Sequence, residues 1–292
     1  MDWLFLFEVV LAGIGAGGLY ALAGLAFVII YKATQVVNLA IGEMLMLGAY
    51  AFFAFAAGMQ WPIPVAIVAA IAVCAVLGGV VERLAIRPML GESPISVFMV
   101  TVGLGSIMVG VVELIWSADQ RRLPEFIPNE PIFIGEAFVS PKIFYSFLVA
   151  VVLVAVSLVV FRWWRGGVAL RATATDQAAA YAMGINVPRV FSIAWVVAAA
   201  LAAIAGIAVG AIGGVSSSMG VFGLSVLVVV IVGGLDSVLG ALLAGLLIGV
   251  LEALAGAFLG GEFKLLVTFL VLVAVLMVRP YGLFGTREIE RL

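Results

Sequence analysis

Histidine is absent from this chain, cysteine occurs once, and charged residues fill only 10% of the 292 positions. With no histidine and a single thiol, Cys74 inside an apolar run, the chain can build neither its own disulfide nor a histidine metal site nor a Cys/His catalytic pair. There is no G-x-x-x-x-G-K-[ST] phosphate loop, so nucleotide hydrolysis has no residues to run on here. No nucleophile sits beside a base, which leaves a membrane-embedded enzyme without its chemistry. The net charge of −2 offers no basic footprint for nucleic acid. The opening M-D-W-L-F-L-F-E lacks the basic stretch of a cleaved signal peptide, so the first apolar segment is expected to remain as a helix.

What the chain has in abundance is apolar surface. Hydrophobic residues make up 66% of it and the mean hydropathy is +1.34, more than a soluble fold can hide. Several runs approach the roughly 20 residues that a transmembrane helix needs, and their unbroken hydropathy favours helices over the alternating strands of a barrel. The expected fold is all-α, a polytopic transmembrane bundle forming one domain over 1–292, with about nine spans (eight to ten). Helix breaks are expected near 35–44 and 220–238.

Charge by position sets the expected topology, with the N-terminus outside and the C-terminus cytoplasmic. The first span, Leu4 to Tyr31, carries G-I-G-A-G-G at 13–18, a face for close helix contact, and ends at Lys32. Glu8 reads as an acid at the outer interface. Later inner anchors are Glu82, Arg83 and Arg87, then R-W-W-R at 162–165, and at the C-terminus Arg279 and Arg287. The segment 119–141 holds four acids, two arginines and four prolines, which suits an ordered external loop.

Polar residues inside apolar spans are the candidate translocation path. Gln35, Asn38 and Glu43 lead the second span, and an acid at such depth costs about 2.5–3.5 kcal/mol on insertion scales unless it faces a partner or a wet cavity. That cluster is therefore either a broken helix lining a path or a structural polar clasp. Ser216 and Ser217 precede a short apolar stretch, Asp236 sits in the following break, and Glu252 lies within the next span. An echo between N-L-A-I-G-E-M and G-G-L-D-S-V-L-G is too weak to count as a repeat.

The largest polar interlude between spans on the inner side runs from 165 to 190. Within it, Thr173 and Asp176 have capping-box spacing, Gly184 can close a helix, and Pro188 stops it. The enclosed Ala174 to Met183 would be about 15 Å long, marginal by itself, so it is either a solvated loop or a helix that needs a partner.

Four motifs in order then meet: V-V-N-L-A-I-G-E-M at 36–44, L-R-A-T-A-T-D-Q-A-A-A-Y-A-M-G-I-N-V at 170–187, G-G-L-D-S-V-L-G-A at 233–241 and R-P-Y-G-L-F-G at 279–285. Together they resemble the branched-chain amino acid type of ABC transporter permease, the LivH-like branch, across nearly the whole chain. The resemblance implies a multi-pass subunit of the bacterial inner membrane in an importer of a small solute. Its partners would be a second permease subunit, two ATPase subunits that carry the ATP and magnesium, and a periplasmic substrate-binding protein, all embedded in or bordering membrane lipid. This chain would hold no cofactor or metal. The 165–190 segment would be the cytoplasmic coupling loop that docks on the ATPase, with Arg171, Ala172, Asp176, Ala180, Gly184, Ile185 and Asn186 matching the family's loop motif. At Ile41 the chain departs from the pattern, since many members carry histidine or glutamine there. The solute is left open, because relatives of this type also serve urea, short amides and aromatic acids. The competing class is a stand-alone secondary transporter or channel, for which Glu43, Glu113, Asp236 and Glu252 are the available ion-coupling acids.

Overall fold

The computed structural model describes residues 3–286, a bundle of helices with very little else. In chain order the helices are α1 (Trp3–Thr34), α2 (Ile41–Phe53), α3 (Ile63–Val81), α4 (Pro94–Trp116), α5 (Pro141–Trp163) and α6 (Arg165–Thr175). There follow α7 (Gln177–Ala182), α8 (Val187–Gly213), α9 (Phe222–Gly233), α10 (Val238–Phe258) and α11 (Lys264–Val278). A π turn extends α2 to Gly58, a second carries α3 through Ile86, and a 3-10 turn at Ser217–Val221 leads into α9. Eight of the helices, counted with these extensions, are long and apolar enough to cross a membrane, and Ser217–Gly233 is a shorter apolar helix. Among the described residues the strands are a small hairpin in the 119–141 loop, β1 (Ile132–Ile134) against β2 (Ala137–Val139).

α1 is the axis of the bundle. Every residue from Gly17 to Ile30 is buried, as expected of a helix that is apolar on all sides. Its glycines do the close packing foreseen for residues 13–18. Gly13 and Gly17 meet Gly249 and Gly245 of α10 backbone to backbone, and a Cβ on Gly17 would stand 2.7 Å from the Cα of Leu246. Gly15 and Gly18 instead receive the side chains of Ile143 and Phe147 from α5. By contrast α5 and α11 bury little of their length, and their exposed valines, leucines and phenylalanines form the surface of a protein whose surrounding solvent is lipid.

The ends of the bundle are tied by polar contacts. Glu8 accepts the Phe138 N–H at 2.8 Å, so the start of α1 lies at the same end as the 119–141 hairpin. At that end too, Arg121 and Val215 pair their backbones. At the opposite end the buried Glu82 forms a two-bond ion pair with Arg87, 2.9 Å on each arm, and both groups also hydrogen-bond Ser192 of α8. The C-terminal segment lies at this second end, where Leu283 and Phe284 donate to the Val232 and Gly233 carbonyls of α9. α9 therefore runs from one end of the bundle toward the other. The expected Arg287 anchor falls outside the described residues.

The 165–190 loop differs in detail from the sequence reading. Thr173 is not a cap: it is buried inside α6 and its hydroxyl donates to the Ala169 carbonyl at 2.8 Å. Asp176 is the cap, its Oδ1 accepting from the Ala178 and Ala179 amides at 2.8 and 2.9 Å, so α6 and α7 are two helices where one was expected. Arg171 donates to the Phe161 and Arg162 carbonyls and holds α6, which begins already at Arg165, against the end of α5. The closing of α7 is as foreseen. Gly184 has φ +83°, its N–H bonds Tyr181 and the Ile185 N–H reaches Ala180, the paired bonds of a Schellman ending.

Candidate functional site

Between Thr34 and Ile41 the chain leaves the helix. Gln35 takes a left-handed conformation, φ 57°, and the backbone runs irregularly to Ala40. Asn38 is buried and holds this shape, its Oδ1 accepting the Ala40 N–H at 3.1 Å while its amide reaches the Met44 sulfur at 3.4 Å. Thr101 of α4 stitches the break from outside by accepting the Leu39 N–H at 3.3 Å. Irregular backbone within a span needs such partners, because lipid supplies none.

One turn further, Glu43 projects into a narrow slot between α4 and the start of α9. A Cβ on Gly105 would lie 3.2 Å from the Glu43 Cδ, and one on Gly220 2.9 Å from its Oε1, so the side chain passes where two neighbours have none. Gly42 and Gly223 touch through their backbones just beside it. Gly105 is midway along the 23-residue α4, which sets Glu43 near the middle of that span. Its Oε2 is buried and has no hydrogen-bond partner among the described residues. An orphaned acceptor of this kind costs about 1–3 kcal/mol or more, and calls for an explanation.

The carboxylate opens on a cavity of about 470 Å³ between α2, α4 and α9. Its polar lining is Asn38, Glu43, Thr101 and Ser106, and its apolar wall includes Ile41, Val109, Leu224 and Leu227. Ile41 in this wall is almost wholly buried.

The remaining candidates lie elsewhere. Gln35, Arg171 and Asp236 come together around a second cavity, about 660 Å³, at the end of the bundle that carries α6, with Lys32 beside them. There Asp236 accepts from both the Thr286 amide and hydroxyl, 3.3 and 2.5 Å, and so pins the C-terminal segment. The break expected near 220–238 resolves into two, at 214–216 and at 234–237, with α9 and its lead-in continuous between them. Ser216 and Ser218 bond each other at 2.7 Å, and neither Ser216 nor Ser217 lines the first cavity. Glu252 is buried in α10 and accepts from Tyr20 of α1, Ser225 of α9 and Thr268 of α11. Glu113 is exposed on α4. No three acids gather among the described residues.

The loop-motif residues are largely occupied in shaping the loop. Arg171 caps α5, Asp176 caps α7, Gly184 and Ile185 close it, and the Asn186 side chain caps α8 through the Arg189 N–H. Ala172 packs on the core and Ala180 is buried against the bundle, while Ala178, Ala179 and Ala182 of the same run are exposed. The large apolar side chains exposed beside these alanines are Tyr181 of α7 and Met183 at its end, 71% and 84% exposed.

Comparison with known proteins agrees with this architecture. The family described as the permease component of the branched-chain amino acid transport system matches residues 9–276. Among curated relatives, the high-affinity branched-chain amino acid permease protein LivH of Escherichia coli K12 is 29% identical over 99% of both chains. BraD of Pseudomonas aeruginosa is 30% identical over 96% of this chain and 95% of its own. A solved structure, PsaBC from Streptococcus pneumoniae in complex with Fab, matches with a TM-score of 0.51 over 92% of this chain and 91% of that one, at 12% identity, a likeness of fold alone. With a break-and-cavity architecture in its membrane spans and a family match over nearly its whole length, this chain belongs to the permease-component family of branched-chain amino acid transport systems.

Proposed function

We propose that this chain is the permease subunit of an ATP-driven importer in the bacterial inner membrane, carrying an α-amino acid with an apolar side chain. It works with a second permease subunit, two ATPase subunits that bind ATP and magnesium, and a periplasmic binding protein. It performs no chemistry itself. The N-terminus lies outside, the 119–141 hairpin faces the binding protein, and the 165–190 loop lies in the cytoplasm, in keeping with its arginines.

The observation that carries the reading is the unpartnered Glu43 carboxylate oxygen opening on a half-apolar cavity at mid-span. A substrate ammonium would supply the missing donor. The N-terminus of α2 has no side-chain cap and borders the cavity, so its positive end would favour the substrate carboxylate, and Ile41, Leu224 and Leu227 would take the hydrocarbon part. An acid-lined proton or sodium path is less well supported, because Glu113, Asp236 and Glu252 each sit in surroundings of their own.

Uptake of labelled leucine or valine by cells producing the complete transporter tests this. Glu43→Leu is expected to lower uptake at least about 30-fold, the effect of removing one partner of a buried charge pair, with the protein still inserted. Wild-type uptake by that variant at equal membrane level would sink the proposal.

A further inference from the structure

A third cavity, of about 620 Å³, is a groove between the last turns of α5 and the first turns of α8. Its size is within the about 300–1,000 Å³ of small-ligand sites. Its floor is the buried Ile29 of α1, and its walls are valines and isoleucines that nothing covers: Val156 is 52% exposed, Val160 38%, Ile193 39% and Val197 37%. At the end where both helices leave the span, the apolar walls give way to Arg165 and Arg189, with the exposed Trp164 lining the groove beside them. Neither guanidinium forms an ion pair or a side-chain hydrogen bond among the described residues. The acid nearest in sequence, Asp176, is taken up by the α7 amides.

A groove of hydrocarbon walls capped by two uncompensated cations at the membrane boundary matches one kind of occupant, a molecule with a long apolar chain and an anionic head. Basic pockets between transmembrane helices hold anionic lipid head groups on the same principle, and interfacial tryptophan marks the depth at which those heads lie. We propose that this groove binds an anionic phospholipid, one acyl chain lying between α5 and α8 and the phosphate resting between Arg165 and Arg189. Gly184, Ile185 and Asn186 border the same groove, so a lipid seated there also braces the joint between α7 and α8.

The test is native mass spectrometry of the purified transporter complex, titrated with phosphatidylglycerol and, separately, with zwitterionic phosphatidylethanolamine. The wild type is expected to retain phosphatidylglycerol preferentially. The double variant R165Q/R189Q should bind it about 30-fold more weakly, two cations' worth at a membrane surface, with phosphatidylethanolamine unchanged. Ser157→Trp, which fills the groove and keeps both arginines, should displace the lipid while the complex keeps its mass, and excess inorganic phosphate should not. Equal retention of phosphatidylglycerol by the double variant, or no preference over phosphatidylethanolamine in the wild type, overturns the proposal. So does a Ser157→Trp variant that loses a protein subunit in place of lipid, since the groove is then a protein interface, and so does displacement by inorganic phosphate.

Discussion

Glu252 is a decisive residue to perturb, because the two roles open to it leave different traces. It joins four helices: from α10 its carboxylate takes hydroxyls from Tyr20 at 2.5 Å, from Ser225 at 3.3 Å and from Thr268. Hydrogen bonds between transmembrane helices average about 0.6 kcal/mol and reach about 1.7 at most, so three of them amount to about 2–5 kcal/mol. Glu252→Leu removes all three, leaving the Thr268 hydroxyl its bond to the Lys264 carbonyl, so stability against thermal unfolding in lipid should fall by up to that amount. Glu252→Gln keeps a carbonyl acceptor and an amide to which a hydroxyl can turn, and should cost less than half as much. If the cluster is a clasp, the Gln variant transports at nearly the wild-type rate below its melting temperature. A Leu variant with wild-type thermal stability and no uptake refutes this, and returns Glu252 to the translocation path.

Coupling should depend on the exposed side of α7: Tyr181→Ala combined with Met183→Ala is expected to lower substrate-stimulated ATPase activity of the assembled complex at least about 10-fold, as losing interface anchors does, with the permease's own stability unchanged. Stimulation at the wild-type level would remove α7 from the docking surface. For topology, a cysteine replacing Asn129 should react with an impermeant thiol reagent from outside and one replacing Gln177 only in opened membranes. Both positions are exposed and the native Cys74 is buried, so background labelling is low. The reverse pattern would invert the assigned orientation.

Much of this architecture is written locally. Helix limits follow hydropathy, as with α10, the apolar span expected to hold Glu252, and the glycines at 13–18 announced a close helix contact without naming α10 as the partner. The break before α2 was legible because Asn38 and Glu43 are costly in an apolar span. What the sequence withheld depends on distant partners. Nothing near Glu252 points to Tyr20, 232 residues away. Gly105 and Gly220 look like ordinary packing glycines until Glu43 is found between them. In the 165–190 loop, the T-x-x-D spacing pointed to Thr173 as the cap with Asp176 reaching back, whereas Asp176 is the cap and Arg171 grips the end of α5, a contact no local pattern encodes. The inward turn of Ala180 is likewise set by the bundle beneath it.

The pairing of Leu283 and Phe284 with the last carbonyls of α9 bears on how the protein is made. Those carbonyls belong to a helix synthesised well before the segment that satisfies them, with Asp236 and Thr286 fastening the same joint across 50 residues. Until α10 and α11 have been threaded into the bilayer, the foot of α9 has open acceptors, and the wall it lends to the Glu43 cavity hangs free at one end. Closure therefore waits on the segment that follows α11: a nascent chain stalled before Leu283 would be inserted but unlatched, with the foot of α9 unfinished.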